Sequence, residues 1–399
     1  MKKTVKDIDI KGKKVIMRVD FNVPLDKETN SKITDTTRVD AAMPTIEYIL
    51  SQGASLILMS HLGRPKGEVN PKYSLKPVYD YLKTKLTNNK VIFANDCIGE
   101  EVKKTAGSLN AGDVLLLENL RYHAEEEKND ANFSKRLADL ADVYVNDAFG
   151  TAHRAHASTA GIVAAKPSMP AVAGFLMEKE IKYLGDAVAE PKRPFVAIIG
   201  GAKVSSKISV LKNLLNKVDT LIVVGGMAYT FFKAKGYEIG TSLCEDDYIQ
   251  TAKEIMDKAK ELNKTLYLPI DNVVADKFDN DANKKIIDCN AIPSGWMGMD
   301  VGDKTLKEIE NILKNAKTIV WNGPLGVFEM SNFAKGTFET AKFIANSGAV
   351  SIIGGGDSVS AVNKSGVADK MTHISTGGGA SLEFLEGIEL PGIKVLQDK

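Results

Sequence analysis

Cysteine is scarce in this chain of 399 residues. Its three cysteines, Cys97, Cys244 and Cys289, lie far apart in the sequence. This spacing predicts neither a disulfide framework nor a metal site of clustered cysteines. A chain that needs no disulfide suits a reducing compartment, so we expect a cytoplasmic protein.

Long apolar runs and an excess of one charge are also lacking. No apolar run approaches the roughly 18 residues of a membrane-spanning helix, and the lysines of MKKTVKDIDIKGKK precede no apolar stretch of the kind found in secretory signals. The net charge is +1, which does not fit a general binder of nucleic acid or membrane surfaces. We therefore expect no nucleic-acid or membrane partner. Because no tail or apolar stripe demands a protein partner, we also expect a monomer.

Arginine is rare and confined to one half of the chain. Only seven of the 52 basic residues are arginines, and all seven lie at or before Arg193. In so lysine-rich a chain, a retained arginine indicates a planar, bidentate grip on carboxylate or phosphate. Surface charge is an equal alternative for any single arginine. We expect Arg18, inside a predicted strand, to be structural and Arg136, on the polar side of a predicted helix, to be solvated.

The chain is longer than one hydrophobic core usually supports, so we expect two domains. Short Val/Ile/Leu runs such as KVIMRVDF and FVAIIGG alternate with helical patterns throughout. Such runs are typical of parallel strands covered on both faces. The sequence therefore predicts an α/β protein with two doubly wound, Rossmann-like parallel-sheet domains joined by a connecting helix and hinge.

The boundary between the predicted domains lies near the middle of the chain. Residues 174–190 have helical spacing, and Pro191 and Pro194 then break the helix. A buried strand, two glycines and two lysines four residues apart follow, a pattern that predicts a phosphate loop at a helix start. We expect a ligand domain at residues 1–173, a connecting helix at 174–190 and a nucleotide-binding domain at 191–389.

Polar and cationic residues follow the predicted strands of the first half. Because ligands bind at the carboxyl ends of parallel strands, four arginines and a histidine would converge there on a small, strongly anionic ligand. These residues are Arg38, His61, Arg64, Arg121 and Arg154. His123, His153 and His156 are more simply structural. We expect the EEEKND segment after His123 to be a solvated helix start.

Glycine clusters follow the predicted strands of the second half instead. Glycine lets the backbone approach a phosphate, and helix N-termini add positive potential. One cluster alone could be only a tight turn, but four clusters at four strand ends favour a nucleotide site. The clusters are Gly200-Gly201, Gly225-Gly226, Gly354-Gly355-Gly356 and Gly377-Gly378-Gly379. Neither a P-loop motif nor a dinucleotide fingerprint is present.

Three further features suit a nucleotide domain. Asp357, the one carboxylate among the glycines, is a candidate ligand for Mg²⁺, although a helix N-cap would also suit it. Met297 and Met299 flank Gly298 and could line an apolar pocket, although core filling is the commoner use of methionine. The loop WNGPLGVFE ends in Glu329, which could bond ribose hydroxyls.

An anion-binding domain joined to a nucleotide domain favours a transferase that closes over its reactants. Two alternatives remain open. A solute-binding protein would close on its ligand without chemistry. Another acyl-phosphate-forming kinase, such as one acting on acetate, would not need four arginines for a second phosphate on its substrate.

Eight segments together resemble the phosphoglycerate kinase family. They are RVDFNVP, SHLGRP, LLLENLRYH, NDAFGTAHRAHAS, GGAKVSSKI, WNGPLGVFE, GGGDS and STGGGASLE, in this order along the chain. The resemblance implies reversible transfer of the acyl phosphate of 1,3-bisphosphoglycerate to ADP, giving 3-phosphoglycerate and ATP in glycolysis, with Mg²⁺. It also implies that residues 390–399 pack back on the amino-terminal domain.

The resemblance places the glycerate ligand in the amino-terminal half. Asp20 and Asn22 would bond its hydroxyl and carboxyl region, and Arg38 would reach the carboxyl group and the phosphoryl group in flight. Its non-transferred phosphate would be gripped by His61, Arg64, Arg121 and Arg154. The same motifs add Phe21, Leu62 and Gly63 to the predicted substrate-binding residues.

The resemblance places Mg-nucleotide in the carboxyl half. Lys203 and Lys207 would lie on the phosphates, Gly298 at the adenine, Glu329 at the ribose and Asp357 on the metal. The remaining predicted nucleotide-binding residues are Gly225, Asn322, Gly355, Gly356 and Ser358. The predicted catalytic set is Arg38, Lys203, Lys207, Gly354 and Gly377, whose charges and nearby amides would neutralise the phosphoryl oxygens.

Two further expectations accompany this assignment. We expect neither a phospho-enzyme nor a general base, because the accepting carboxylate carries no proton at neutral pH. Some family members carry an acid before the second lysine, where this chain has Ser206. That departure leaves both lysines in place and changes only the local charge.

Overall fold

The computed structural model describes residues 1–399, apart from the side chains of residues 186 and 187. The chain forms two compact units. Unit 1 comprises residues 1–181 and 389–399, and unit 2 comprises residues 182–388. Each unit is built on a six-stranded parallel sheet, so the predicted α/β fold class is confirmed. None of the helices in the described chain is long and apolar enough to cross a membrane.

The sheet of unit 1 has the strand order β3-β4-β2-β1-β5-β6, and every neighbouring pair is parallel. All five residues of SLILM in β2 are buried, as expected for a strand covered on both faces. The strands are β1 (Lys14–Arg18), β2 (Ser55–Met59), β3 (Val91–Phe93), β4 (Val114–Leu116), β5 (Val143–Asn146) and β6 (Ala171–Ala173).

Helices cover the sheet of unit 1 and contribute to its core. Val39, Ile46 and Ile49 of the first helix are fully buried together with strand residues such as Val15 and Leu56. The helices are α1 (Thr37–Ser51), α2 (Lys76–Lys85), α3 (Glu100–Gly107), α4 (Ala124–Glu127), α5 (Ala131–Ala138), α6 (Ile162–Ala165) and α7 (Phe175–Glu180). Three-residue 3-10 helices occur at Val5–Asp7, Pro71–Tyr73, Leu120–Tyr122 and Phe149–Thr151, and a π-helix spans Ala157–Gly161.

The segment predicted as one connecting helix is divided in three. Helix α7 is followed by a π-helix at Ile181–Asp186 and by the short helix α8 at Ala187–Ala189. The division between the two units falls at residues 181 and 182, inside this segment.

The main sheet of unit 2 is also parallel, with the strand order β10-β8-β7-β15-β16-β17. A three-stranded antiparallel sheet, β12-β11-β14, and a small parallel pair, β13-β9, accompany it. The main-sheet strands are β7 (Phe195–Ile199), β8 (Thr220–Val223), β10 (Thr265–Tyr267), β15 (Thr318–Asn322), β16 (Val350–Gly354) and β17 (His373–Ile374). The others are β9 (Glu238–Ile239), β11 (Asp271–Ala275), β12 (Lys284–Asp288), β13 (Ala291–Ile292) and β14 (Met297–Val301).

Helices again surround the main sheet of unit 2, and Trp321 of β15 is fully buried in its core. The helices are α9 (Ile208–Leu215), α10 (Ala228–Ala234), α11 (Ile249–Glu261), α12 (Asp303–Asn315), α13 (Lys335–Asn346), α14 (Gly356–Lys364) and α15 (Gly379–Leu385). Three-residue 3-10 helices occur at Asp246–Tyr248, Ser331–Phe333 and Ala368–Lys370.

The last residues of the chain return to unit 1. Helix α16 (Pro391–Lys394) lies against the end of β5, where Asn146 Nδ2 donates a hydrogen bond to the carbonyl of Gly392 at 2.9 Å. The N–H of Gly392 donates to the carbonyl of Ala152 at 2.8 Å. These bonds fix the carboxyl terminus beside the loop that carries Arg154.

Candidate active site

The loop after β1 is fastened to the loop after β2. Side-chain Oδ1 of Asn22 accepts a hydrogen bond from the N–H of Gly63 at 2.8 Å, and the N–H of Phe21 donates to Ser60 Oγ at 2.9 Å. Gly63 has a φ of +62°, and a Cβ there would lie 2.4 Å from the ring of Tyr73, so only glycine fits. These bonds hold Asn22 at the carboxyl end of the sheet.

Arg38 lies in the first turn of α1 and forms an ion pair with Asp20. The Asp20 side chain is 12% exposed and the Arg38 side chain 37% exposed. Asp20 Oδ1 also accepts a hydrogen bond from the N–H of Asn22 at 3.2 Å. One guanidinium nitrogen therefore anchors Arg38, while its other donors remain available to a ligand.

Three further arginines supply charge at the same edge. Arg121 Nη1 donates to the carbonyl of Gly63 at 3.0 Å, and burial lowers the pKa of its guanidinium. Arg64 and Arg154 are exposed. Arg64 lies close enough for its charge to lower the pKa of Arg121 further, and Arg154 donates to His153 Nε2 at 3.2 Å.

The lowered pKa values of His61 and His156 indicate a positive electrostatic potential at this edge. His61 is 4% exposed, and burial, followed by the charges of Arg18 and Arg121, holds its pKa well below the usual value. Burial and Arg121 likewise lower the pKa of His156 to about 4. The arginines create the positive potential that an anion requires, and the lowered pKa values of both histidines reflect it together with burial.

We call this edge of unit 1 the anion rim. Its members are Asp20, Asn22, Arg38, His61, Gly63, Arg64, Arg121 and Arg154. The side chains of Phe21 and Leu62, which were predicted with them, are buried, so these two residues offer a ligand only their backbone. Next to the rim lies a pocket of about 450 Å³ lined by Asn22, Leu62 and Gly63 together with Lys27 and Lys72.

The structure corrects one expectation in this unit. Glu126, predicted to be solvated in the EEEKND segment, is fully buried and accepts hydrogen bonds from the N–H and the Oγ of Ser158, at 2.9 and 2.5 Å. Composition could not reveal this burial, because Ser158 lies 32 residues further along the chain. Arg18 is buried inside β1 and Arg136 is exposed, as predicted. However, Arg18 also contacts His61, a link that no sequence pattern indicated.

Unit 2 contains a glycine pocket of about 320 Å³ at the carboxyl ends of its strands. It is lined mainly by residues of the predicted glycine loops: Gly201, Ala202, Lys207, Asn322, Gly323, Pro324, Gly355, Gly356, Asp357, Ser358, Gly378, Gly379 and Leu382. Helix α14 begins in this pocket, and the first N–H groups of a helix have no intrahelical partner. The pocket therefore presents backbone donors and a positive helix end to an anion.

Lys207 is the cation of the glycine pocket. Its Nζ donates hydrogen bonds to the side chain of Asn322 and, at 3.3 Å, to the carbonyl of the same residue. Burial lowers the pKa of Lys207 to about 8, and the charge of Asp357 acts in the opposite direction. Lys203 is exposed and does not line the pocket.

Two predicted catalytic glycines lie behind the lining of the glycine pocket rather than on it. Gly354 is buried at the end of β16, paired with Asn322 of β15. The N–H of Gly377 donates to Ser375 Oγ at 3.1 Å. Their neighbours Gly355 and Gly378 line the pocket instead.

A larger apolar pocket, of about 520 Å³, adjoins the glycine pocket. The two share Gly201, Ala202, Pro324 and Asp357. Of the residues predicted at the nucleotide, Gly225, Gly298 and Glu329 line this apolar pocket, as do Met297 and Met299. An anion on the glycine pocket could therefore extend an apolar group into the neighbouring space.

Gly298 sets the floor of the apolar pocket. A Cβ at this position would lie 1.8 Å from Tyr229 Oη, so any side chain would displace the tyrosine ring. Tyr229 is buried, and its hydroxyl lies 3.3 Å from Asn272 Oδ1, to which it donates. The ring is thus held beneath the space that the glycine leaves open.

Several residues of the apolar pocket were not foreseen. Tyr229, Leu243, Phe278, Leu325 and Val327 come from four separate places in the sequence. Leu243 and Phe278 remain 62% and 64% exposed, which is unusual for large apolar side chains, but exposure is not visible in a sequence. Only Leu325 and Val327 could have been found, because they belong to the WNGPLGVFE loop.

Asp357 is the acid that the two pockets of unit 2 share. Its carboxylate is exposed in the first turn of α14 and lines both pockets of unit 2. Mg²⁺ is held by one or two carboxylates together with phosphate oxygens, so one acid beside an anion pocket fits this ion.

Among the residues whose side chains the structure describes, one cluster of three potential metal ligands occurs, and it lies away from Asp357 in unit 1. Ligand atoms of Asp96, Cys97 and His123 lie within 4.8 Å of one another in unit 1. His123 Nε2 and Asp96 Oδ1 already form a hydrogen bond of 2.7 Å. A sulfur and a nitrogen are poor ligands for Mg²⁺, so this cluster does not compete with Asp357 for that ion.

Comparison with known proteins identifies relatives along the whole chain. The family model described as phosphoglycerate kinase matches residues 5–388. A phosphoglycerate kinase of Clostridium botulinum is 58% identical over 400 aligned residues, covering 100% of this chain and 99% of the relative. A protein of Arabidopsis thaliana named "Phosphoglycerate kinase 3, cytosolic" is 58% identical over 398 residues, covering 99% of this chain and 98% of its own length.

Solved structures give the same result for the fold. Phosphoglycerate kinase from Coxiella burnetii matches with a TM-score of 0.90 and 42% identity, covering 99% of this chain and 98% of its own. The enzyme from Pyrococcus horikoshii OT3 matches with a TM-score of 0.81 and 34% identity, covering 98% of each chain.

Proposed function

The chain belongs to the phosphoglycerate kinase family, and we propose that it performs the family's reaction by direct in-line transfer between two separately bound ligands. It is a kinase of glycolysis that moves the acyl phosphate of 1,3-bisphosphoglycerate to ADP, giving 3-phosphoglycerate and ATP, and the reaction is reversible. Separate residues bind the glycerate ligand, the nucleotide and the metal ion.

The anion rim of unit 1 holds the glycerate ligand. Arg64, Arg121 and Arg154 bind its non-transferred phosphate, because guanidinium groups match the geometry of phosphate oxygens. Asn22 and Asp20 bond the hydroxyl and carboxyl region. The fixed Asn22–Gly63 hydrogen bond supports this assignment, because it orients the amide before a ligand arrives.

The two adjoining pockets of unit 2 hold the nucleotide. Their shared wall is the observation that carries the proposal: a glycine-lined space with Lys207 opens directly into an apolar space floored by Gly298. Phosphates fit the first space and a base fits the second. Glu329, which lines the apolar pocket, is within the same cavity as the base and is assigned to the ribose.

Mg²⁺ is the cofactor that this site fits, with Asp357 as its protein ligand. Held there, the ion would neutralise part of the charge of the nucleotide's phosphates. Lys207, Lys203 and the backbone amides of the first turn of α14 neutralise the remaining phosphate charge.

The catalytic step needs positioning and neutralisation rather than covalent chemistry. Arg38 is anchored by Asp20 and still has free donors, so it can follow the phosphoryl group from donor to acceptor. Because water would intercept the phosphoryl group, the two units close over the reactants before transfer. No enzyme side chain is phosphorylated, and no general base is needed.

The remaining assignments concern the whole protein. We place it in the cytoplasm, a location supported by the name of the cytosolic Arabidopsis relative and by the lack of cysteine pairs in the sequence. We assign it as a monomer whose partners are its small-molecule substrates.

Direct transfer is tested with ATP whose γ-phosphate is made chiral with oxygen isotopes. A single in-line displacement inverts the configuration at phosphorus, and we expect inversion in the product acyl phosphate. Retention would mean two displacements through a phosphorylated enzyme and would contradict the proposal.

A further inference from the structure

A buried arginine lies directly behind the anion rim. Arg18 is fully buried in β1, and its guanidinium reaches three acceptors. Nε donates to Ser158 Oγ at 2.8 Å, Nη1 donates to the carbonyl of Val19, and Nη2 lies 3.2 Å from Nδ1 of His61. Among the residues whose side chains are described, none of the rim arginines comes within hydrogen-bond distance of a ring nitrogen of His61.

Ser158 and Glu126 hold Arg18 in this position. Both carboxylate oxygens of Glu126 accept from Ser158, one from its N–H at 2.9 Å and one from its Oγ at 2.5 Å. Because the Ser158 hydroxyl donates to Glu126, its lone pairs face Arg18 and accept from Nε. Glu126 is fully buried and balances the arginine charge through this serine.

The contact determines which nitrogen of His61 carries the proton. A guanidinium has five N–H donors and no acceptor, so Nδ1 must accept and cannot itself be protonated. The proton of the neutral ring is therefore on Nε2. Among the residues whose side chains are described, Nε2 has no hydrogen-bond partner, so its N–H remains available to a ligand.

The groups around His61 keep its ring neutral. Arg18 faces it from β1, Arg38 from α1, Arg121 from the 3-10 helix Leu120–Tyr122, and His156 from the segment before the π-helix. Burial and all four of these groups oppose a second proton on the ring. Either nitrogen of a neutral imidazole can carry the proton, so a fixed contact is needed to select one form.

We infer that Arg18, held by Ser158 and Glu126, is a positioning residue that fixes His61 as a neutral Nε2–H donor aimed at an oxyanion of the glycerate ligand. The inference rests on the proposed placement of that ligand on the anion rim. Arg18 does not touch the ligand in this account. Arg18 acts through His61: by donating to one ring nitrogen, it fixes the orientation of the ring and leaves the proton on the other nitrogen.

The first test observes the tautomer of the unmodified enzyme. Protein with ¹⁵N-labelled histidine is studied by long-range ¹H–¹⁵N correlation, and the His61→Gln spectrum identifies the signals of His61. We expect a pyridine-like Nδ1 and a pyrrole-like Nε2 at neutral pH. The opposite pattern, or an imidazolium, overturns the proposal without any assay of activity.

The second test removes the contact with Arg18→Met, and Arg136→Met serves as the matched control on an exposed arginine. We expect Arg18→Met to raise KM for 3-phosphoglycerate about ten-fold or more while kcat changes less, because a hydrogen bond to an anionic ligand loses its fixed donor. The control should match the unmodified enzyme. Equal KM in Arg18→Met and the control overturns the proposal.

A pH profile separates positioning from a merely structural role. In Arg18→Met the ring loses one neighbouring cation, so the pKa of His61 rises, while burial and the charges of Arg121 and Arg38 still hold it down. An imidazolium has N–H groups on both nitrogens, and the KM defect should therefore shrink as the pH is lowered and the ring of the variant takes up its second proton. A defect that is constant with pH indicates general damage to the fold and overturns the inference.

A milder variant covers the case in which Arg18→Met does not fold. Ser158→Ala leaves Arg18 in place and removes the hydroxyl that accepts from its Nε and donates to Glu126, and we expect the His61 signals and KM to shift in the same direction. Unchanged His61 signals in Ser158→Ala overturn the proposal. Turnover of the unmodified enzyme with ATP, Mg²⁺ and 3-phosphoglycerate tests the proposed function separately, because it does not depend on the tautomer.

Discussion

The ammonium group of Lys207 donates to both the side chain and the main-chain carbonyl of Asn322, the latter at 3.3 Å. Lys207 immediately precedes α9, and Asn322 ends β15, so these hydrogen bonds join the segment before α9 to the end of the strand that pairs with β7. These bonds fix the position of the ammonium group, which favours its proposed contact with a nucleotide phosphate.

Nucleotide binding should weaken in alkaline solution. Burial lowers the pKa of Lys207 to about 8, so its charge is present below that pH and is lost as the pH rises through it. If only the charged lysine binds phosphate, KM for MgATP should rise about ten-fold between roughly pH 7 and pH 9. Steady-state kinetics at saturating 3-phosphoglycerate measure this change.

Lys207→Arg provides the control for that profile. A guanidinium stays charged throughout this range, so its KM for MgATP should be nearly independent of pH, whatever its absolute value. A flat profile in the unmodified enzyme would remove Lys207 from the phosphate site.

Gly298→Ala should block the nucleotide selectively. The new Cβ would lie 1.8 Å from Tyr229 Oη, so the buried ring, which lines the same pocket, would have to leave its position. We expect KM for MgATP to rise about ten-fold or more and binding of 3-phosphoglycerate to stay unchanged. Gly107→Ala, at a helix end where a Cβ meets nothing within 4 Å, is the matched control. Normal KM for MgATP in Gly298→Ala would move the base to another site.

Arg38→Ala should affect chemistry more than binding. The Asp20–Arg38 pair anchors the guanidinium, whose free donors are assigned to the phosphoryl group in transit. We expect kcat to fall about 100-fold or more, with less than a ten-fold loss of 3-phosphoglycerate affinity measured by calorimetry. Arg136→Ala, on an exposed arginine, should leave both unchanged. Equal turnover in the two variants would defeat the catalytic assignment of Arg38.

Asp357→Asn tests the metal assignment. The amide keeps the shape of the side chain but loses the negative charge that Mg²⁺ needs. Calorimetry should show MgADP binding weakened about ten-fold or more and 3-phosphoglycerate binding unchanged. The exposed Asp369 of the same unit gives the control Asp369→Asn. Loss of glycerate binding alone would reverse the assigned roles of the two units.

The parallel sheets could be predicted because their buried strands are mostly short, continuous apolar runs in the sequence. Runs such as FVAIIGG become fully buried strands, and the polar residues after β1 and β2 meet at one edge because parallel strands end there together. The antiparallel strand β12 could not be recognised in the same way. Its sequence, KKIID, is largely exposed and has no continuous apolar run.

Two further features could not be predicted from the residue types. Glu126 belongs to an acidic segment whose composition is typical of an exposed helix start. Inside the unit, Ser158 of a later π-helix donates a hydrogen bond to its buried carboxylate. Gly377 follows a strand, as predicted for a phosphate-binding amide, yet Ser375 occupies its N–H. In both cases the partner is chosen by packing, which residue types alone do not specify.

The most direct test of the account is turnover by the purified protein in a coupled assay. ATP, Mg²⁺ and 3-phosphoglycerate are supplied, and an auxiliary dehydrogenase consumes the acyl phosphate as it forms, with oxidation of NADH as the signal. We expect oxidation that stops when any one of the three components is omitted. No oxidation, with both ligands still bound in calorimetry, would contradict the account and would require the catalytic roles of Arg38 and Lys207 to be withdrawn.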